Sequence, residues 1–406
     1  MSSRPFLQKL TLHNFRSIQN ETIHFSNPLF LVGRNDTGKT NILEAVSFLA
    51  ECTKRSLQTA VEFRGGFGSL SYLHGTGKPY EAPIHLRADF WLEKTQQQGH
   101  YAFALGFVPG SPYDFQVLHE QCYLTGSSGE TTWFDRTRDR FDTSVEGLTL
   151  DMDSQALALP LAGGVQAFAA FRRALASMQV YAIEPGRLRR QETSFDTSYL
   201  KRDGSNLVSI LQKLNASDPD VLTRVTELLT AIVPGLTGIH LVVRDKTPVL
   251  LFTQKAERNA DLMFDISRMA DGTLRALGLI TAAIQSPAPS LMAFDEPELY
   301  MHLGAISSIS DALQIAAQRS QIIVATHSPE LIDAKWIEPD NLCIVEKING
   351  ATHIAGLGVS ARNAIRQHLM GAGELLRANA LDAMPNHSPS TEINLFEPVP
   401  ACFNLS

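Results

Sequence analysis

The chain has 406 residues, of which 44% are hydrophobic and 19% are charged, and its formal net charge is −7. This length predicts about two or three domains with sizeable cores. No stretch approaches the run of about eighteen apolar residues that a membrane helix needs, and the negative charge excludes a whole-protein attraction for nucleic acid, although a local basic patch stays compatible with it.

The N-terminal residues and the cysteines indicate in which cellular compartment the protein is expected. Met-Ser-Ser-Arg-Pro leads directly into a strand-like segment, without the apolar core of a signal peptide. The four cysteines lie far apart with no C-x-x-C pair (Cys52, Cys122, Cys343 and Cys402). This spacing argues against a zinc site or a disulfide framework. We therefore expect a cytoplasmic protein with no membrane partner.

The first elements surround a glycine-rich octapeptide. Residues 7–32 alternate like a β-hairpin and end in a short apolar run of buried-strand type, and residues 33–40 then fit G-x-x-x-x-G-K-[ST]. Apolar residues recur at helical spacing to Leu49. A strand, a loop and a helix N-terminus bring free N–H donors and a positive dipole to one point, which predicts a site for a nucleoside triphosphate. Lys39 would reach the β- and γ-phosphates, and the Thr40 hydroxyl would ligate Mg²⁺.

The remaining elements follow in three blocks. Strand signals over residues 80–160 predict an antiparallel sheet, whereas residues 162–232 have helical patterns and residues 236–253 return to strands. From 267 to 358, helices and short apolar strands alternate, as in a mostly parallel sheet. The tail from about 382 is rich in Pro, Ser and Asn and is expected to be poorly ordered. The sequence has no repeats and no long heptad run.

Two apolar strands end in polar groups that suit phosphoryl transfer. Residues 291–294 lead into Asp295 and Glu296, which are placed to hold Mg²⁺ and to take a proton from the attacking water. Residues 321–325 lead to His327, whose imidazole could bond the γ-phosphate or the water. The alternatives are a surface acidic pair that closes an ordinary strand and a structural histidine, and the phosphate loop favours the catalytic interpretation.

A third segment starts an apolar helix. Asp271, Gly272 and Thr273 precede it and form a plausible helix start with exposed N–H groups. If the nucleotide of a second subunit faces this helix end, it would clamp the γ-phosphate in trans.

In this order, the segments resemble the ABC-type ATPases of the SMC/RecF kind. The resemblance covers roughly residues 5–75 and 175–380, and its motifs lie at residues 14–18, 33–45, 64–66, 203–207, 271–275, 295–298 and 326–329. The chain is most similar to the stand-alone bacterial "AAA family predicted ATPases", which are relatives of the overcoming-lysogenisation-defect ATPases.

The resemblance implies an α/β fold, a P-loop NTPase of the ABC/RecF head type, with a mostly parallel core sheet, an antiparallel β lobe and a helical lobe. The head would be split between residues 1–75 and 236–380, with the antiparallel β arm at 76–160, the helical lobe at 161–235 and a flexible tail at 381–406. Two heads would sandwich two ATP molecules, as a homodimer or a higher even oligomer.

It also implies roles for individual residues. Asp295 would be the second magnesium residue beside Thr40, Glu296 the general base and His327 the switch histidine. The nucleotide would be bound by the phosphate loop and by the signature segment of the partner (Gly33, Asn35, Asp36, Thr37, Gly38, Lys39, Thr40 and Asn41; Asp271, Gly272 and Thr273).

The chain departs from the family pattern at several points. Ala270 stands where the signature usually has a serine, which removes one trans hydroxyl contact. His302 lies in a segment that usually reads Leu-His-Pro, and Gln191 is the nearest candidate for the glutamine of the lobe-linking loop. SMC-style coiled coils are missing, and residues 345–406 have only scattered acids, so we do not expect the acidic nuclease domain of the overcoming-lysogenisation-defect relatives there.

Three functions follow from these residues. The first is an ATP-driven switch for a separate effector, a nuclease or toxin-like protein encoded nearby, in bacterial antiviral defence or a toxin–antitoxin-like system. The second is a RecF-like clamp on duplex DNA, with a phosphate track of basic residues (Arg172, Arg173, Arg187, Arg189, Arg190, Lys201 and Arg202). The third is a non-hydrolysing scaffold, favoured by Ala270 alone. The apolar residues of the tail are a candidate docking segment (Ile393, Leu395, Phe396, Val399, Phe403 and Leu405).

Overall fold

The computed structural model describes residues 6–73, 82–111, 113–190, 196–244, 247–255, 261–301, 303–384 and 395–398. The strands are β1 (Leu7–Phe15), β2 (Ile18–His24), β3 (Leu29–Val32), β4 (Ile84–Leu92), β5 (Gln97–Phe107), β6 (Phe115–Thr125), β7 (Thr131–Thr137), β8 (Phe141–Thr143), β9 (Gln179–Tyr181), β10 (Leu236–Arg244), β11 (Thr247–Gln254), β12 (Leu262–Asp265), β13 (Leu291–Asp295), β14 (Gln321–Thr326), β15 (Leu342–Ile348) and β16 (Ala351–Gly356). The helices are α1 (Lys39–Lys54), α2 (Leu57–Glu62), α3 (Leu159–Ala162), α4 (Gln166–Ser177), α5 (Pro185–Leu188), α6 (Leu207–Ser217), α7 (Val221–Thr230), α8 (Asp271–Ile284), α9 (Leu303–Arg319), α10 (Pro329–Ile332), α11 (Val359–Arg366) and α12 (Ala372–Arg377).

A six-stranded sheet in the order β16-β15-β3-β14-β13-β9 lies at the centre of the fold. Five of its strands run parallel, and β16 pairs antiparallel at one edge. Alternate residues of β3 enter two different hydrophobic cores: Leu31 packs with α1 and α4, and Phe30 packs with α8 and α9. Because both faces are covered, the strands read as continuous apolar runs. The predicted α/β fold with a mostly parallel core sheet is confirmed.

A seven-stranded antiparallel sheet in the order β2-β1-β4-β5-β6-β7-β8 joins the N-terminal hairpin to the strands of residues 84–143. Leu10 and Leu12 of β1 pair with Ala88 and Leu86 of β4, and all four side chains enter the same core as α1. The antiparallel strands predicted for residues 76–160 are therefore present, but they continue the sheet that the N-terminal hairpin begins. The domain boundaries themselves remain a prediction.

The second core holds the predicted helical segment. Helices α6 and α7 pack with α8 and with the three-stranded sheet β10-β11-β12, which is antiparallel throughout. Residues such as Leu211, Val225 and Phe252 are fully buried there. In this packing, α8, which carries the predicted signature, lies against the face of the central sheet that includes Phe30.

Two further predictions, on membrane helices and on the docking segment of the tail, can be compared with the described residues only in part. Among the described residues, no helix combines the length and the apolar character needed to cross a bilayer. Of the predicted docking segment in the tail, Leu395 and Phe396 are described, whereas Ile393, Val399, Phe403 and Leu405 lie outside the described residues, as do Gln191 and His302.

Candidate nucleotide-binding site

The octapeptide of residues 33–40 connects β3 to α1, as its flanks predicted. Gly38 precedes α1 with φ at +105°, a conformation that a residue with a Cβ rarely adopts. A Cβ on Gly33 would overlap the carbonyl oxygen of Val345. Lys39 Nζ donates to the carbonyl oxygens of Gly33 at 2.7 Å and of Arg34 at 2.8 Å, which holds its ammonium group inside the loop. Burial lowers the pKa of Lys39, and the nearby carboxylates of the opposite strand counter that shift.

Other residues of the loop bind protein groups that brace it. The side-chain amide of Asn41 donates to the Ser17 hydroxyl at 2.6 Å, and that hydroxyl lies 2.7 Å from the Thr352 hydroxyl. Thr352 in turn donates to the carbonyl oxygen of Thr37 at 2.9 Å. Asp36 forms an exposed ion pair with Lys347 at 2.6 Å. Asn41 and Asp36, both predicted to contact the nucleotide, therefore connect this part of the chain to the turn between β1 and β2, to β15 and, through Ser17, to β16.

Thr40 and Asp295 come together as predicted for a magnesium site. The Thr40 hydroxyl donates to Asp295 Oδ1 at 3.3 Å, across the gap between α1 and the end of β13. Hydroxyl and carboxylate oxygens are the hard ligands that Mg²⁺ prefers. Burial raises the pKa of Asp295, and the adjacent charge of Glu296 adds to that shift. A carboxylate that is costly to charge gains from a bound cation, so this donor set fits Mg²⁺.

Glu296 and His327 also lie next to each other. The backbone N–H of Glu296 donates to the carbonyl oxygen of Ala325 at 2.9 Å, which ties the end of β13 to β14. His327 Nδ1 then lies 3.2 Å from Glu296 Oε1, and Glu296 has φ at +45°. A strained backbone that the surrounding hydrogen bonds hold is typical of residues kept in place for function. The two predicted catalytic side chains are thus in contact.

Glu298 holds this pair in place, and the sequence analysis missed it. One of its oxygens accepts the Thr326 hydroxyl at 2.6 Å and the backbone N–H of His327 at 3.2 Å, and the residue is 8% exposed. A carboxylate that accepts two hydrogen bonds fixes the end of β14, and with it the imidazole. Its position in the run 295–298 was visible in the sequence, but no pattern shows that the chain turns back to β14.

A cavity of about 370 Å³ lies beside Thr40 and Asp295. Its described lining includes Thr40, Asp295 and Glu296 together with Glu184, which follows β9. Glu184 is a second residue that the sequence analysis missed. Gln191, the candidate for the glutamine of the lobe-linking loop, lies outside the described residues. Strand β9 has three residues, which is too short for a recognisable strand pattern, so residue 184 could not be predicted to lie in the same cavity as Asp295.

The predicted signature lies at the start of α8, which begins at Asp271 after an extended Ala270. No side chain caps this helix start, and Asp271 pairs with Arg189 at 2.5 Å. Asp271, Gly272 and Thr273 are not among the described residues that line the cavity beside Asp295. Ala270 and Asp271 are exposed at this helix end, whereas Gly272 and Thr273 are partly buried.

Arg275 connects the signature helix to the catalytic strand. This buried guanidinium donates to the carbonyl oxygens of Ile183 at 2.8 Å, of Asp295 at 3.2 Å and of Glu296 at 2.9 Å. Burial lowers its pKa, and the carboxylate of Glu298 is the first of the charges that counter the shift. One side chain thus braces the backbone of Asp295, of Glu296 and of the segment before Glu184.

Several residues of the predicted phosphate track have internal partners. Arg187 pairs with Asp203 at 3.5 Å, and Arg202 pairs with Glu44. Arg189 pairs with Asp271, and Arg172 donates to the carbonyl oxygen of Gly163 at 3.3 Å. The carboxylates partly compensate the charge of Arg187, Arg189 and Arg202, whereas the partner of Arg172 is a neutral carbonyl group.

Comparison with known proteins finds two matching family models and several similar proteins. A family model described as "AAA ATPase domain" matches residues 6–68, and one described as "AAA domain, putative AbiEii toxin, Type IV TA system" matches residues 186–333. The chain is 22% identical over 367 residues to the Old nuclease of Escherichia phage P2, and the match covers 81% of this chain and 57% of that protein. It is 27% identical over 123 residues to the DNA replication and repair protein RecF of Lactobacillus acidophilus, a match that covers 28% of this chain and 33% of RecF.

Solved structures show the same fold. An Smc head bound to the C-winged helix domain of ScpA matches with a TM-score of 0.53 and 16% identity, covering 88% of this chain and 99% of that one. An Smc head from Pyrococcus furiosus, with an extended coiled coil and bound to the C-terminal domain of ScpA, matches with a TM-score of 0.50 and 13% identity, covering 90% of this chain and 100% of that one.

Fold and site together define a P-loop ATPase with the architecture of an ABC-type head. More narrowly, the chain is similar to the SMC/RecF-type ABC ATPases and to the Old nuclease, which confirms the resemblance seen in the sequence. It is an ATPase, and the chain spans just over half of the length of the Old nuclease that it matches.

Proposed function

We propose that two copies of this chain sandwich two ATP molecules and act as a Mg²⁺-ATP-dependent switch for a separate effector protein. The observation that carries the proposal is the brace made by Arg275, which joins the start of the catalytic loop to the helix that begins with the signature. A change at Asp295 and Glu296 on hydrolysis would therefore move the helix end that faces the partner.

Each residue of the site has a role in this proposal. Lys39 binds the β- and γ-phosphates, and Thr40 and Asp295 would hold Mg²⁺, which neutralises charge on the phosphate oxygens when it is bound. Glu296 accepts a proton from the water whose oxygen bonds to the γ-phosphorus, while the bond from that phosphorus to the β–γ bridging oxygen breaks and ADP leaves. His327 positions the carboxylate of Glu296, and Glu298 positions His327.

The setting of the switch is supported by the relatives. One family model names a toxin of a type IV toxin–antitoxin system, and the Old protein is named a nuclease. An effector of one of these two classes, a nuclease or a toxin-like protein encoded nearby in an antiviral defence system, is the partner that we propose.

A complementation experiment tests the sandwich. Lys39→Ala disables the phosphate loop, and Ala270→Arg places a bulky charge at the exposed helix start, so each variant alone should lose ATP turnover. In a mixed dimer, one loop and the facing signature are both intact. Equal mixing should therefore restore about a quarter of the wild-type rate, because about half of the dimers are mixed and each has one intact site. A mixture that stays as inactive as its components would contradict the use of the signature in trans.

A RecF-like DNA clamp is the second candidate. It is favoured by a match of 51% identity over 43 residues to RecF of Rickettsia felis. The internal pairing of Arg187, Arg189 and Arg202 counts against it. The clamp requires ATP-dependent binding of duplex DNA that weakens steeply with salt and is lost in Arg189→Glu/Arg190→Glu. Binding that ignores ATP, or its absence, would leave the switch as the better account.

A further inference from the structure

The outer face of the antiparallel sheet is polar and is covered by the chain's own tail. Along β4, the even-numbered residues from Ile84 to Leu92 enter the core, whereas His85, Arg87 and Asp89 point to the opposite face. Residues His100 of β5 and Gln121 of β6 lie on that face too, and both are buried. Residues 395–398 lie across these side chains.

Side chains of the sheet contact both the backbone and the side chains of residues 395–397. The side-chain amide of Gln121 donates to the carbonyl oxygen of Glu397 at 2.8 Å and accepts its N–H at 2.8 Å. This two-way pairing replaces the hydrogen bonds that an added β-strand would make. Arg87 donates to the carbonyl oxygen of Leu395 at 3.1 Å and forms an ion pair with the Glu397 carboxylate at 3.0 Å.

An aromatic contact completes the recognition. The ring of Phe396 stacks on the imidazole of His119, with centroids 3.8 Å apart and planes 13° from parallel. His85 lies at the edge of the same ring, at 6.5 Å. Leu395 is 4% exposed. The tail segment thus presents one buried aliphatic residue, one aromatic ring stacked on His119 and one carboxylate paired with Arg87.

The residues that hold the tail are themselves held by the sheet. Asp135 accepts hydrogen bonds from the Gln121 amide at 2.6 Å and lies 2.9 Å from His119 Nε2. Arg87 also pairs with Asp89 at 2.9 Å, and His100 lies 2.9 Å from the Gln121 carbonyl. These contacts fix the side chains independently of residues 395–398. A preorganised surface of this kind loses little entropy when it binds a peptide.

We propose that this face, defined by Arg87, His119 and Gln121, is a peptide-binding site for an extended segment of the type aliphatic-aromatic-acidic. The chain's own Leu395-Phe396-Glu397 occupies the site in cis, and a partner protein that carries a segment of the same chemistry displaces it. The charge of Arg87 selects the acid, and the two-way bond of Gln121 fixes the register.

Displacement is feasible because the contact is small. Three residues of the tail make the contacts, so their intrinsic affinity is weak, and the covalent connection raises their local concentration to the order of mM for a short linker. A partner must therefore outcompete this local concentration. The tail thus acts as an intramolecular competitor, a latch, which prevents weakly binding ligands from occupying the face.

Fluorescence anisotropy with a labelled peptide of residues 393–400 (Ile-Asn-Leu-Phe-Glu-Pro-Val-Pro) tests the site on the full-length chain. The wild-type chain should bind the peptide weakly. The full-length double variant Phe396→Ala/Glu397→Ala, whose own tail no longer competes, should bind it at least 10-fold more tightly. Adding Arg87→Ala to that variant should weaken binding at least 10-fold.

A peptide in which Gln replaces the glutamate serves as a matched control that leaves the protein untouched, and it should also bind at least 10-fold more weakly. Equal binding of the original peptide by the wild type and the tail variant would overturn the latch. A lack of binding by the tail variant, or binding that survives both Arg87→Ala and the altered peptide, would overturn the site. Because Arg87 lies outside the nucleotide site, ATP turnover should be unchanged and reports correct folding.

Discussion

The two large sheets arrange their polar residues differently. In the central parallel sheet, the reactive groups follow the carboxyl ends of neighbouring strands, so Lys39, Asp295 and His327 meet at one edge. In the antiparallel sheet, Arg87 of β4 and two residues at alternate positions of β6, His119 and Gln121, form an extended face. Residues at the carboxyl ends of neighbouring parallel strands bring several charged groups close to a single phosphate group. Residues spread over the face of an antiparallel sheet instead offer the spaced contacts that an extended peptide needs.

The largest expected effect breaks the chemistry at the edge of the parallel sheet. Glu296→Gln keeps the shape of the side chain and removes the general base, so ATP hydrolysis should slow by roughly 100-fold or more while ATP binding survives. Phosphate release and nucleotide binding, measured on the same preparation, check the two halves of this expectation. Unchanged turnover would remove Glu296 from the mechanism and would return the non-hydrolysing scaffold to consideration.

The difference between the sheets also explains what the sequence could predict. The octapeptide and the strands that end at Asp295 and Thr326 are local patterns, so the sequence analysis identified the phosphate loop, the acidic pair and the histidine. Glu184 and Glu298 depend on how distant strands pair, which no local pattern reveals. The same holds for the polar face, because the partners of Arg87 depend on the register of β4 with β5 and β6 and on the position of the tail.

A smaller effect should come from the residue that positions His327. In Glu298→Gln, the amide oxygen can still accept the hydrogen bonds from the Thr326 hydroxyl and the His327 N–H, but the negative charge that strengthens them is lost. We expect turnover to fall by about 10-fold at saturating ATP, with little change in KM, because the altered contact is to His327 and not to the nucleotide. A fall in nucleotide affinity with kcat preserved would show that Glu298 serves binding instead.

A substitution at the uncapped start of α8 is expected to increase both stability and ATP turnover. Ala270 has an extended backbone and makes no cap, so Ala270→Ser should supply a hydroxyl acceptor for the free N–H groups and stabilise the fold by about 1 kcal/mol. The same hydroxyl would restore the missing trans contact, so ATP turnover should also rise. Ala270→Val, which adds bulk without a hydroxyl, is the control. Equal behaviour of the two variants would rule out the hydroxyl as the cause.

The smallest effect concerns the polar face and pH. Burial lowers the pKa of His13 to about 4, and the neighbouring His85 adds to the shift. The unfolded chain therefore binds this proton more readily, so stability is full above about pH 6.5 and is lost as the pH falls toward 4. Denaturant titrations give the free energy of unfolding at each pH. Between pH 6.5 and pH 4, this free energy should fall by about 1 kcal/mol or less more in the wild type than in His13→Gln, after allowance for solvent screening. An identical slope in wild type and variant would place the pH dependence elsewhere.

The ATP-sandwiched dimer is the central claim, and light scattering on purified Glu296→Gln protein tests it most directly. This variant should bind ATP without consuming it, so added Mg²⁺-ATP should shift the mass from monomer to dimer. The Glu296→Gln/Ala270→Arg double variant should remain monomeric under the same conditions. A mass that is the same with and without Mg²⁺-ATP would contradict the account, because the signature would then have no nucleotide-dependent partner.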